Sequence, residues 1–162
     1  MAITFEHFLN KFPKVELPVT LRDDSHHDFS THNEPLSDVL IQQFIRHYEA
    51  TDPDDLTEYI ACFQLPIEKK DFKAIVYWKA GLLNYDYVLA TYDKKGIMID
   101  KKAIAGTKVV GNAVKLIVAF IKEDLSINIV EGLESQGESY DADTSKVRRF
   151  EILENGRIEQ DY

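Results

Sequence analysis

The chain has one cysteine, no long apolar run, no stripe of basic residues and no spacing that spells out a known catalytic motif. Each lack excludes something. A lone Cys62 cannot close a disulfide within the chain, and its place in a strand-like run reads as a small buried thiol in a reducing cytoplasm. No segment approaches the ~18 apolar residues that a membrane helix requires. The start, AITFEHFLNKF, has neither the basic head nor the continuous apolar stretch of a secretory leader. A cytoplasmic protein with no membrane partner is the expectation.

Charge narrows the field further. The net charge is −9, and it is uneven: residues 1–57 carry 4 Lys/Arg against 11 Asp/Glu, and residues 58–162 carry 15 against 17. An acidic chain without a linear basic run repels phosphate backbones, so a nucleic-acid partner is not expected. The acidic N-terminal third would instead steer a basic protein partner.

What is present changes rhythm near Glu58. Before it, Thr4 is placed to cap a helix bearing Phe5, Phe8, Leu9 and Phe12 at helical spacing, and Pro13 stops it. Residues 14–21 alternate Val15, Leu17, Val19 and Leu21 and read as an extended arm, with Pro18 suited to an edge. Residues 22–36 read as a polar loop. Ser37 then caps a second helix whose stripe is Val39, Leu40, Phe44, Ile45 and Tyr48. The residues at 51–55, TDPDD, read as a turn.

After Glu58 come eight strand candidates: 58–66, 72–80, 85–93, 97–104, 113–122, 126–132, 146–154 and 157–161. Gly96 closes an Asp-Lys-Lys-Gly turn of the bulged type, and Asn155-Gly156 is a hairpin signal. Glu123-Asp124 and 106–112 read as looser connections, and 132–145 as the longest loop. Short connections make antiparallel neighbours. Along 72–80 and 113–122 both faces are apolar, so both must be covered, by helices on one side and by curling, the 14–21 arm or a second copy of the chain on the other. The predicted architecture is one α+β domain over 1–162: N-terminal helices packed on a twisted antiparallel meander of about seven or eight strands.

Three groups of residues were weighed for chemistry. His26, His27, Asp28 and His32, with Asp23, Asp24 and Glu34 around them, are suitable ligands for zinc or another transition metal, but the spacing matches no standard site and a solvated loop is favoured. The stretch Asp141–Ser145 imitates the start of a calcium loop, yet Lys146 and Ile152 stand where glycine and a carboxylate are needed. Gly106 and Gly111 have P-loop spacing, but Asn112-Ala113 replace Lys-Ser/Thr. No catalytic residue and no cofactor are assigned. The aromatic residues Tyr77, Tyr85 and Tyr87, flanked by Lys73 and Lys79, are the binding candidates.

The segment Tyr87–Ile104, YVLATYDKKGIMIDKKAI, resembles the strand–YDKKG–strand units of small uncharacterised bacterial proteins. That resemblance implies a bacterial origin and an antiparallel sheet, and it brings no activity. The expected function is a non-catalytic protein-binding domain, with an acidic inhibitor or immunity-type role as one concrete form. Two alternatives stand beside it: a metal-binding protein or metal-dependent hydrolase using 23–34, and a small-ligand pocket in a curled sheet lined by Tyr77, Tyr85 and Tyr87.

Overall fold

The computed structural model describes residues 4–49, 56–67, 71–135 and 146–161. The turn at 51–55, most of the long loop and the calcium-like stretch lie outside the described residues. Nine strands form one antiparallel sheet: β1 (Val19–Leu21), β2 (Glu58–Gln64), β3 (Phe72–Ala80), β4 (Asn84–Asp93), β5 (Met98–Val110), β6 (Ala113–Ile121), β7 (Ser126–Ser135), β8 (Lys146–Ile152) and β9 (Ile158–Asp161). Strands β2 to β9 follow one another in chain order, and β1 pairs with β6 off that path. The α-helices are short: α1 (Phe5–Leu9), α2 (His26–His32) and α3 (Asp38–Phe44), the last followed by a 3-10 turn at Arg46–Tyr48. The molecule is thus mostly sheet, with less helix than an α+β reading foresees.

Local chemistry accounts for most of the elements. The Thr4 side chain accepts from the His7 amide and the Ser37 side chain from the Leu40 amide, so both expected caps form. The chain departs from expectation at α2, where a helix replaces the polar loop. No side chain of α2 is fully buried, so it has no apolar stripe for periodicity to reveal. β5 also runs on through Gly106 to Val110, where a loose connection was expected.

Two apolar clusters cover the two faces of β3 and β4. On one side Phe8, Phe12, Leu40 and Phe44, from α1, α3 and the segment between, pack with Ile75, Tyr77, Val88, Ala90 and Tyr92. Each fully buried phenyl contributes about 1.5–3 kcal/mol by leaving water. The Tyr92 hydroxyl donates to the Phe44 carbonyl at 2.5 Å, which fixes the end of α3 over the sheet. On the other side Phe72, Ala74, Val76, Trp78, Tyr87 and Leu89 pack with Ile117, Ala119, Ile121, Ile127, Ile129 and Phe150, and Leu21 from β1 joins them.

The register shows how one sheet makes this second core. Lys79 pairs with Asp86, Asp86 with Gly106 and Gly106 with Ile117. Paired residues share a face, so Ile117 lies on the face of Tyr77; yet it packs in the cluster of Trp78. The two halves of the sheet therefore meet through opposite faces. Twist of one hand produces this: where β5 and β6 part beyond Gly106, both halves rotate in the same sense, and the back of one comes to look at the front of the other. β1 pairs with β6 at Ala119–Ile121, where β5 has left it. Gly106 permits the close passage of β4, since a Cβ there would stand 2.0 Å from the Tyr85 carbonyl oxygen.

The outer strand β2 is not left open. The Gln64 amide donates to the Pro13 carbonyl at 2.8 Å, the Val15 amide to the Gln64 carbonyl at 3.1 Å, and Asn33 Nδ2 to the Ala61 and Cys62 carbonyls at 2.6 and 2.9 Å. These contacts remove the template that a bare edge offers to another strand.

Candidate functional site

The expected aromatic cluster is divided by the sheet. Tyr77 pairs with Val88 and points toward the helices, fully buried; Tyr85 and Tyr87 pair with Ala80 and Trp78 on the other face. No single pocket can be lined by all three, which removes the geometry expected of a small-ligand site in a curled sheet. Burial pushes the Tyr77 and Tyr87 phenols well above the usual tyrosine range. Lys73 and Lys79 share the face of Tyr77 but stand six residues apart, about 20 Å along a strand. Lys73 donates to the Ile67 carbonyl and Lys79 pairs with Glu49 at 3.1 Å, so both serve the helix-covered side.

The histidine-rich stretch becomes α2, and its side chains diverge. His26, His27 and Asp28 are consecutive on a helix, so successive side chains leave it about 100° apart. His32 Nδ1 is 2.8 Å from the Asp28 carbonyl oxygen. Among the described residues no three His, Cys, Asp or Glu side chains form a group that could hold a metal ion. His26 instead lies flat on Trp78, with ring centroids 4.4 Å apart and planes 3° from parallel, and Tyr85 stacks on the same indole at 5.5 Å. Burial, then the adjacent His27, lowers the His26 pKa below the usual imidazole value, and Asp23 and Asp24 oppose the shift. Cys62 is buried, and desolvation raises its thiol well above the ordinary value, so it is no nucleophile.

This stack leads to one end of the sheet, where the β3–β4 and β5–β6 hairpins turn. The Gly81 amide donates to the Asn84 carbonyl at 2.8 Å, and the Val109 amide to the Leu83 carbonyl at 3.3 Å, which ties the two tips together. Their side chains are apolar and in water: Leu82 is 81% exposed, Leu83 60%, Val110 52%, Val109 47% and Tyr85 41%. Isolated exposed leucines need no explanation, but five neighbouring apolar side chains on two linked tips form a patch of the kind that marks contact surfaces.

The patch has two unlike flanks. Toward β2, the exposed carboxylates of Asp23, Asp24 and Asp28 accompany His26 beside Trp78 and Tyr85. Toward β8, Lys108 and Lys115 pair directly across β5 and β6, and exposed Lys146 follows opposite Glu131. Two lysines in direct cross-strand register repel one another. The sheet offsets this with buried carboxylates: Glu131 is held by Lys115 at 3.5 Å and Arg148 at 3.1 Å, and Asp86 lies near Lys108 and Lys79. Burial still holds the Asp86 carboxyl above the usual range, with Lys108 and then Lys79 opposing. Strand pairing thus assembles a basic flank that linear order hides.

Sequence reasoning passed over the tips. The signal was there in Gly-Leu-Leu-Asn and in Val-Val before Gly-Asn: turns ordinarily take polar residues, and aliphatic ones there serve no local need. No family model, curated protein or solved structure matches this chain. The site's own geometry is therefore what supports a function.

Proposed function

We propose that the chain is a non-catalytic, cytoplasmic protein-binding domain that docks through the exposed end of its β3–β4 and β5–β6 hairpins. The observation that carries this reading is the joined patch of Leu82, Leu83, Tyr85, Val109 and Val110. An apolar centre with charged rims is the ordinary anatomy of a recognition surface. The acidic flank at Asp23, Asp24 and Asp28 suits a basic partner surface, in keeping with an inhibitor or immunity-type role. Metal-dependent hydrolysis has less support, because the residues it would need diverge around α2.

The test is quantitative capture from cell extract with the wild-type chain and a Leu82→Asp/Leu83→Asp variant as paired baits. The expected result is a specific partner recovered by the wild type, at least about tenfold depleted with the variant, and released by salt. Equal recovery by both baits would remove the tip from consideration.

A further inference from the structure

We infer that the partner fitting this surface is a second copy of the same chain, docked about a two-fold axis through the hairpin tips. The inference rests on the reading above and names the occupant of that surface. The order of elements along this end of the sheet carries it. α2 with Asp23, Asp24 and Asp28 lies on the β2 side, the apolar tips are central, and Lys108, Lys115 and Lys146 lie on the side of β5, β6 and β8. The surface therefore runs acidic, apolar, basic.

A two-fold axis through the centre is isologous: each residue meets the partner's counterpart across the axis. It lays the apolar tips of one chain on those of the other and brings each acidic flank onto the partner's basic flank, twice. Such a surface is complementary to itself. The cross-strand repulsion of Lys108 and Lys115 is relieved in that assembly, because the partner supplies carboxylates that the monomer places on the far side of the patch. The basic surface that the acidic flank calls for is thus present on the chain itself. Lateral pairing of sheets through β2 is a different mode, and the contacts from Pro13, Val15 and Asn33 along that strand work against it.

The geometry makes a specific demand on charge reversal. Asp23→Lys/Asp24→Lys leaves both flanks basic; Lys108→Glu/Lys146→Glu leaves both acidic and keeps the Lys115–Glu131 pair intact. Each variant alone repels itself, whereas the two together form complementary pairs. The measurement is sedimentation velocity on purified protein from micromolar to near-millimolar concentration, with thermal unfolding to show that every variant is folded. Expected are a wild-type dimer, a roughly tenfold or greater loss of self-association in each charge variant, and recovery in their equimolar mixture. Leu82→Asp, at a site exposed enough to leave the fold alone, is expected to yield monomer.

A wild-type chain that stays monomeric throughout would overturn the inference, as would a dimer indifferent to Leu82→Asp. A mixture that fails to recover would overturn the two-fold arrangement. None of these outcomes touches the docking surface itself, which stands or falls on the paired capture experiment.

Discussion

The two ends of this sheet are built from the same kind of hairpin and treated in opposite ways. At one end three turns share a single design. The amides of Gly96, Leu125 and Gly156 each donate to the carbonyl three residues back, at 3.0, 2.9 and 2.9 Å, and each turn closes with a second bond, from Asp93 to Ile97, Lys122 to Ser126 and Leu153 to Arg157. These turns are packed: a Cβ on Gly156 would lie 2.8 Å from Ile99 Cδ1 and 3.2 Å from Phe72 Cγ. At the other end the β3–β4 and β5–β6 turns hold leucines and valines out into water. The difference separates two uses of a hairpin. One end spends its turns on closing the fold; the other end contributes little to the fold and presents a surface.

The sharpest way to test that contrast is to disturb a packed turn. Gly156 has φ +88° and receives the Thr91 hydroxyl on its carbonyl at 2.6 Å. Gly156→Ala combines a left-handed backbone penalty with overpacking against Ile99 and Phe72, and is expected to cost about 2–4 kcal/mol. Chemical denaturation measures this, and a loss under about 1 kcal/mol would mean that the turn shifts freely.

A smaller effect is expected at the third turn, where Leu125 takes the glycine position at φ 68°. Leu125 packs at the margin of the second core while its backbone is strained. In Leu125→Asn the relief of strain opposes the lost packing, so the expected change is within about 1 kcal/mol in either direction. A loss well beyond that, read from the same denaturation curves, would show that the leucine is held by its contacts.

The least effect on stability belongs to the open end. Leu82→Asp is expected to shift unfolding by no more than about 0.5 kcal/mol, as for an ordinary surface change. A fall of more than ~1 kcal/mol would show that the tip supports the fold, and the contrast between the ends would dissolve.

The strands were legible because alternation and turn residues agree along residues 58–161, so all eight candidates appear with small changes of boundary. The ninth, β1, came from the arm that was read only as extended. α2 was invisible because its contribution is a ring laid on Trp78 and a Phe29–Phe63 contact, and neither leaves a helical period. Gly106 misled in the opposite direction: a glycine in a strand resembles a break, while here it lets β4 and β5 stay paired through a bend. The facing of residues within each strand was readable. Which faces would meet was not, since that depends on twist accumulated over several strands. For the same reason Lys108, Lys115 and Lys146, separated by up to 38 positions, could not be grouped from their order.

The burial of Cys62 has a practical side. The chain's single thiol lies beneath the sheet and is held protonated, so maleimide and methanethiosulfonate reagents have no ready native target. A cysteine introduced at Leu82 or Val109 would be the reactive thiol of the molecule with every native residue in place. Fluorophores or spin labels at those two positions would then report, by distance and by mobility, on whatever approaches the hairpin tips.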